Sequence, residues 1–220
     1  MMKVKKILSV ILAVAPLLMV LSVYSELPAQ VPMHWGIDGN VDRYGDKAEL
    51  FLLAGISIFT LVLMYGLPKI DPKKGNYERF QGAYEWIILW IMAFFAIIMG
   101  LTLLETMNPG RFDIGRVICS MVGVLFIAMG NMMPKVKRNF FTGVKTPWSL
   151  SNDVVWNKTH RLGGKCFVFG GGLMILSGFS GSGKIMFAVT ILVVVMIAIV
   201  PIVMSYIWYK QEMQKAIEEE

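Results

Sequence analysis

Residues 130–161 read GNMMPKVKRNFFTGVKTPWSLSNDVVWNKTHR. They join two apolar stretches, each long enough to cross a bilayer. Basic residues (Lys135, Lys137, Arg138, Lys145, Lys158, Arg161), the breaks Gly130, Pro134, Gly143 and Pro147, and the indoles of Trp148 and Trp156 crowd together here. That is more chemistry than a connector needs. Basic charge beside a membrane span marks the cytoplasmic side, and tryptophans there settle at headgroup level. The segment therefore reads as a cytoplasmic loop lying on the membrane.

Outward from it, the chain is 56% hydrophobic over 220 residues, with a mean hydropathy of +0.62, which places it among membrane proteins. The charge-free runs are Ile7–Tyr24, Leu50–Leu67, Trp86–Leu104, Val117–Met133, Cys166–Gly183 and Ile185–Tyr209. About 20 residues rising ~1.5 Å each match a hydrocarbon core ~30 Å thick. The fold class predicted is an all-α polytopic transmembrane bundle of about six spans, with a small extracytoplasmic hairpin. The last run is long enough to tilt, or to kink at Pro201. The Gly-rich fifth run is the least regular. Strict Gly-x-x-x-Gly is absent from every span, which gives no support to close helix dimerisation.

Lysines and arginines set the orientation. With the N-terminus inside, the inner segments hold Lys3, Lys5 and Lys6, then Lys69, Lys73, Lys74 and Arg79, then the basic set from Lys135 to Lys165, then Lys210 and Lys215. Arg43, Lys47, Arg111, Arg116 and Lys184 fall outside. This predicts a multi-pass cell-membrane protein with both termini cytoplasmic. The first run exceeds the usual apolar length of a cleaved leader and is read as a retained span. The net charge of +6 reads as topology plus attraction to anionic membrane lipid. No nucleic-acid partner is implied, because the basic residues are divided among four loops. Cys119 and Cys166 sit toward opposite ends of their spans and read as apolar packing.

The outer loop, residues 26–49, reads ELPAQVPMHWGIDGNVDRYGDKAE. Val31–Trp35 and Val41–Tyr44 flank the turn-forming Asp38-Gly39-Asn40 and predict a β-hairpin. Asp38, Asn40, Asp42, Asp46 and Glu49 also fall on ligand positions of a twelve-residue calcium loop, from its first to its last, but Arg43 stands where that loop needs glycine. The reading here is turn residues and solvated carboxylates, with no metal. In the inner loop, Thr146-Pro147 predicts an extended or turned backbone. Ser151 then caps an amphipathic helix that stops at Gly163-Gly164. That helix lies in the interface, packs under the bundle, or does both.

Ion-coupled transport finds no support, since no ionisable residue interrupts the six runs; Glu85 and Glu105 bracket the third. Catalysis finds none either. His34 and His160 lie on opposite faces, and no metal-protease motif or phosphate-cradling glycine loop is present. The expectation is a non-enzyme with no cofactor.

The pattern Gly130-Asn131, Asn139…Gly143-Val144-Lys145-Thr146-Pro147-Trp148-Ser149-Leu150, then Val155-Trp156…Arg161 resembles the signature of the SdpI family of bacterial immunity proteins. The earlier Leu27-Pro28…Val31-Pro32…His34-Trp35…Gly39…Asp42…Tyr44…Lys47 resembles the uncharacterised N-terminal domain that often precedes it. This divides the chain into an N-terminal membrane domain, 1–67, with outer loop 26–49, and an SdpI-like membrane domain, 68–220, with inner signature loop 134–165. The best understood member of that family protects its producer from a secreted membrane-active peptide toxin, and signals by recruiting a cytoplasmic transcriptional repressor. The resemblance implies the same class of role. It implies partner or signalling contacts at Asn139, Gly143, Lys145, Thr146, Pro147, Trp148, Trp156 and Arg161. At the outer face it implies ligand contacts at Pro32, His34, Trp35, Gly39, Asp42, Tyr44 and Lys47. The residues alone leave a second class open, a passive membrane transporter or a lipid-handling protein of envelope stress.

Overall fold

The computed structural model describes residues 2–37 and 39–219. In chain order it runs α1 (Met2–Val23), β1 (Gln30–Trp35), β2 (Val41–Asp46), α2 (Glu49–Ile70), α3 (Asn76–Met107), α4 (Ile114–Met132), a 3₁₀ turn (Met133–Lys135), α5 (Pro147–Ser151), α6 (Asp153–Gly178) and α7 (Gly183–Glu218). Five of these helices, α1, α2, α3, α4 with its trailing turn, and α7, are long and apolar enough to cross a membrane. Their outward faces carry Ile11, Leu18, Leu52, Phe59, Leu192 and Ile199, all exposed. In lipid such faces need no protein cover.

The sixth long helix is α6, and it departs from expectation. The amphipathic inner helix and the Gly-rich span were expected as separate pieces, the first capped by Ser151 and ended by Gly163-Gly164. They form one continuous helix. Ser151 closes α5, and the cap of α6 is Asn152, whose side-chain oxygen accepts from the amides of Val154 (2.7 Å) and Val155 (3.2 Å). The glycines do not break the helix because they face neighbouring helices. A Cβ on Gly123 of α4 would stand 2.6 Å from the carbonyl oxygen of Gly171, and one on Gly130 would stand 2.6 Å from that of Gly164. Gly178, one heptad beyond Gly171, faces Arg116 and Ser120. Residue pairs 123/171 and 130/164 fix the two helices as antiparallel. On an adjoining stripe Gly163 meets Pro201, and Gly170 meets Val193, both of α7. Helix α6 is thus clamped between α4 and α7 by glycines spaced seven apart. A glycine inside a helix costs roughly 1 kcal/mol relative to alanine, and close backbone packing offsets that cost. The missing Gly-x-x-x-Gly was therefore a poor guide. The close approach occurs within one chain and at the heptad spacing.

Helices α1, α2 and α3 form the other half. Helix α3 kinks at Phe80 (φ −132°, ψ 18°). It runs far enough to take in both Glu85 and Glu105, each buried. Glu85 accepts from the Tyr65 hydroxyl (2.9 Å) and lies 3.6 Å from Lys6. Glu105 accepts from the Gly110 amide at 2.7 Å. The expected hairpin is present and antiparallel, with Val31 opposite Gly45 and Trp35 opposite Val41. Asp38 lies outside the described residues. Val31 and Leu27 bury against Val20, Leu50, Met99 and Leu103, which seats the hairpin on one end of α1–α3. Asp46 and Glu49 bond to local amides: Asp46 accepts from the Ala48 amide (2.8 Å) and Glu49 from the Asp46 amide (3.1 Å), with Arg43 3.6 Å from Glu49.

Candidate functional site

At the end of the bundle opposite the hairpin, the signature loop is held by a fully satisfied polar knot. The Asn139 carbonyl accepts from the amides of Thr142 (2.6 Å) and Phe141 (2.9 Å) and from the Tyr77 hydroxyl (3.1 Å). Its amide group donates to the carbonyls of Lys137 (2.8 Å) and Thr142 (3.0 Å). Buried Asp71 accepts from the Phe140 amide (2.9 Å) and shares the single Tyr77 hydroxyl proton with the Asn139 carbonyl, each oxygen 3.1 Å away. The α2–α3 connection and the signature loop are therefore one structure, since an unpaired buried polar group would cost ~1–3 kcal/mol.

Gly143 follows at φ +109°, and a Cβ there would run into His160 Nε2. That imidazole is wholly buried, and Nε2 accepts from the Val144 amide at 3.2 Å. Since an amide only donates, the ring proton sits on Nδ1, which donates to the Trp156 carbonyl (2.9 Å). The ring stacks on the indole of Trp156, with centroids 4.0 Å apart, while the Trp156 N–H donates to the Val136 carbonyl (2.9 Å). Burial pushes the His160 pKa down to about 4. The residue is neutral near pH 7 and works as a bracket joining α6 to the loop.

Beyond it the loop turns into α5. The Thr146 hydroxyl accepts from the Ser149 amide and the Ser149 hydroxyl accepts from the Thr146 amide, both at 3.0 Å, a reciprocal cap. Pro147 starts the helix, where its missing N–H costs nothing. Thr146 also meets the Ser205 hydroxyl of α7 at 2.9 Å, and Trp148 packs on Tyr206 at 5.0 Å. The Lys158 ammonium lies 2.9 Å from Glu212 and holds that carboxyl below its ordinary range. Lys145 and Arg161 are exposed; Lys145 donates to the Phe141 carbonyl at 3.2 Å. The eight residues singled out here thus divide. Asn139, Gly143, Thr146, Pro147 and Trp156 shape the loop, Trp148 rests on α7, and Lys145 and Arg161 face out. Asp71, Tyr77, Ser149, His160 and Ser205 complete the knot without having been singled out.

At the hairpin end, His34, Trp35 and Asp42 line a cleft of about 880 Å³ with Ile37 and with Ser182, Lys184 and Phe187 from the start of α7. His34 Nδ1 and Asp42 Oδ1 are 2.6 Å apart. The other outer residues go elsewhere. Pro32 is buried within the hairpin and Tyr44 is exposed. Gly39 turns at φ +80° toward Asp113, the residue that caps α4. Lys47 donates to the Tyr24 (3.0 Å) and Leu27 (3.2 Å) carbonyls, neutralising the negative end of α1. Among the described residues no group of three or more His, Cys, Asp or Glu is arranged to hold a metal ion. One helix, α7, lines this cleft with its first turns and grips the signature loop through Ser205 and Tyr206.

Residues 135–205 match the model of the SdpI/YfhL protein family, and residues 11–58 match a domain of unknown function, DUF1648. The chain is 24% identical over 208 residues to "Immunity protein SdpI" of Bacillus subtilis (strain 168), covering 94% of this chain and 97% of that protein. No solved structure matches it.

Proposed function

We propose that this chain, an SdpI-family membrane protein by its signature segment and its end-to-end similarity to an immunity protein, is a non-catalytic immunity or resistance protein acting on a membrane-active peptide toxin. In this reading the toxin meets the cleft of His34, Trp35 and Asp42, and the opposite loop carries the resulting state to a cytoplasmic repressor. The observation that supports it is α7 (Gly183–Glu218), whose first turn lines the cleft and whose Ser205 and Tyr206, about 33 Å further along at ~1.5 Å per residue, contact Thr146 and Trp148. A ligand that shifts the first turn of α7 has one continuous helix through which to bias the loop contacts at Ser205 and Tyr206. The domain boundary near residue 67 belongs to the same reading.

The lysines and arginines gathered at the loop end support a cytoplasmic location for both termini. Cysteines introduced as Lys145→Cys and Tyr44→Cys test this with a membrane-impermeant maleimide on intact cells. Tyr44→Cys is expected to label and Lys145→Cys to stay protected, and the reverse pattern rejects the orientation.

Expression in a bacterium sensitive to a membrane-active peptide toxin is expected to raise survival under challenge and preserve the membrane potential. His34→Ala with Asp42→Ala is expected to remove that protection at unchanged membrane abundance. Cells that die like the empty-vector control reject the immunity role. Full protection by the double variant rejects the cleft.

A further inference from the structure

A second cavity, of about 500 Å³, opens beside the polar knot, between the start of α3, the stretch after α4 and the start of α6. Lys73, Arg79, Lys137 and Arg138 line it, with Asn76 and Asn157 as amides and buried Trp156 as one wall. Its single carboxylate, Asp153, is taken by Arg138 at 2.8 Å. Among the described residues, the side chains of Lys73, Arg79 and Lys137 have no hydrogen-bond or ion-pair partner. Three cations from two segments far apart in sequence are thus held together with nothing to neutralise them, at a cost in mutual repulsion. The rim is built rather than loose. The Asn76 side chain donates to the Arg138 carbonyl at 2.7 Å, and Arg138 donates to the Leu150 carbonyl at 3.2 Å.

Depth identifies the occupant. Helix α3 has 32 residues, about 48 Å, whereas the hydrocarbon core is ~30 Å thick. Its charge-free run begins at Trp86. Arg79, seven residues earlier, stands roughly 10 Å beyond the hydrocarbon edge, at headgroup depth. A lipid phosphate lies at that level, and guanidinium and ammonium donors bind phosphate oxygens by charge-assisted hydrogen bonds.

We infer that this cavity is a binding site for the phosphate headgroup of an anionic membrane phospholipid. The occupant ties the α2–α3 connection to the signature loop from outside, where Asp71 and Asn139 tie them from within. The inference stands apart from toxin protection and is tested without any toxin.

The test is native mass spectrometry of the full chain titrated with phosphatidylglycerol or phosphatidylcholine. Wild type is expected to retain phosphatidylglycerol preferentially. Arg79→Gln with Lys137→Gln is expected to weaken that retention about 25-fold, near fivefold per cation removed. Arg79→Lys with Lys137→Arg keeps the charge and is expected to keep the lipid, which separates binding from misfolding. Lys135→Gln with Lys165→Gln, two exposed cations outside the cavity, is expected to change retention far less. Glycerol 3-phosphate and inorganic phosphate distinguish the sources. Failure of either to displace the lipid at low millimolar concentration supports a membrane-borne headgroup, and displacement by both with equal retention of the two lipids overturns it. Equal retention by wild type and the Arg79/Lys137 double variant overturns the site itself. Capture of a hexaglutamate peptide in place of any phospholipid overturns it in favour of a protein ligand.

Discussion

Gly130→Val is expected to destabilise the folded protein by about 3 kcal/mol, the upper end of overpacking in a closed core. In a chain of this size that corresponds to a melting midpoint roughly 6–12 °C lower. The new Cβ would lie 2.6 Å from the Gly164 carbonyl oxygen, 2.8 Å from Val168 Cγ2 and 3.0 Å from Phe167 Cβ. The first of these is backbone, so no rotamer change relieves the contact, and α4 and α6 must separate. Separation also loosens Gly123 against Gly171, because both pairs sit on one antiparallel seam. Gly172 is the control within the same glycine cluster, since a Cβ there has nothing within 4 Å. Gly172→Ala is expected to leave the midpoint unchanged or raise it slightly, by relieving the helix cost of glycine. Thermal unfolding of the purified proteins, followed by size-exclusion of the surviving fraction, reads both. A Gly130→Val protein that melts with wild type would remove the glycine seam as the source of α4–α6 cohesion.

That seam shows where reading the sequence succeeds and where it fails. The apolar runs and basic loops specify a multi-helix membrane chain, because lipid thickness and backbone satisfaction leave few alternatives. The hairpin was legible for a similar reason: Gly39 supplies the positive φ of a turn between two alternating runs. Helix α6 was misread because Gly163-Gly164 is a stop signal in water, where a helix end is solvated. Here Gly130, Pro134, Met133 and Pro201 pack against those two glycines, so the helix continues. The site was half legible. Thr146-Pro147-Trp148 announces a turn and a short helix from local chemistry. Asp71, Tyr77 and Ser205 reach the same loop only through contacts distant in sequence, between 59 and 69 residues apart, and no local spacing encodes those. The only earlier signal for His160 was that it is the single histidine in a segment otherwise rich in lysine.

Acid is expected to destabilise the signature loop through His160 in particular. The ordinary pKa of the group is 6.5, and burial holds it at about 4 in the folded protein. Below pH 6.5 the unfolded chain takes up a proton that the folded chain refuses, so stability falls as pH drops. The loss spans pH 6.5 to 4 and levels off below 4, once both states are protonated. A shift of this size is worth about 3 kcal/mol. The structural reason is specific: a proton on Nε2 would face the Val144 N–H, donor against donor, inside a cage closed by Gly143 and Trp156. His160→Gln keeps a side-chain carbonyl able to accept from Val144 but does not titrate. Thermal midpoints measured from pH 7.5 to 4 are expected to fall steeply in wild type and much less in His160→Gln, although that variant starts lower at pH 7.5 through lost stacking on Trp156. Parallel pH profiles for the two proteins would show that the acid sensitivity lies elsewhere and that the buried imidazole carries no part of it.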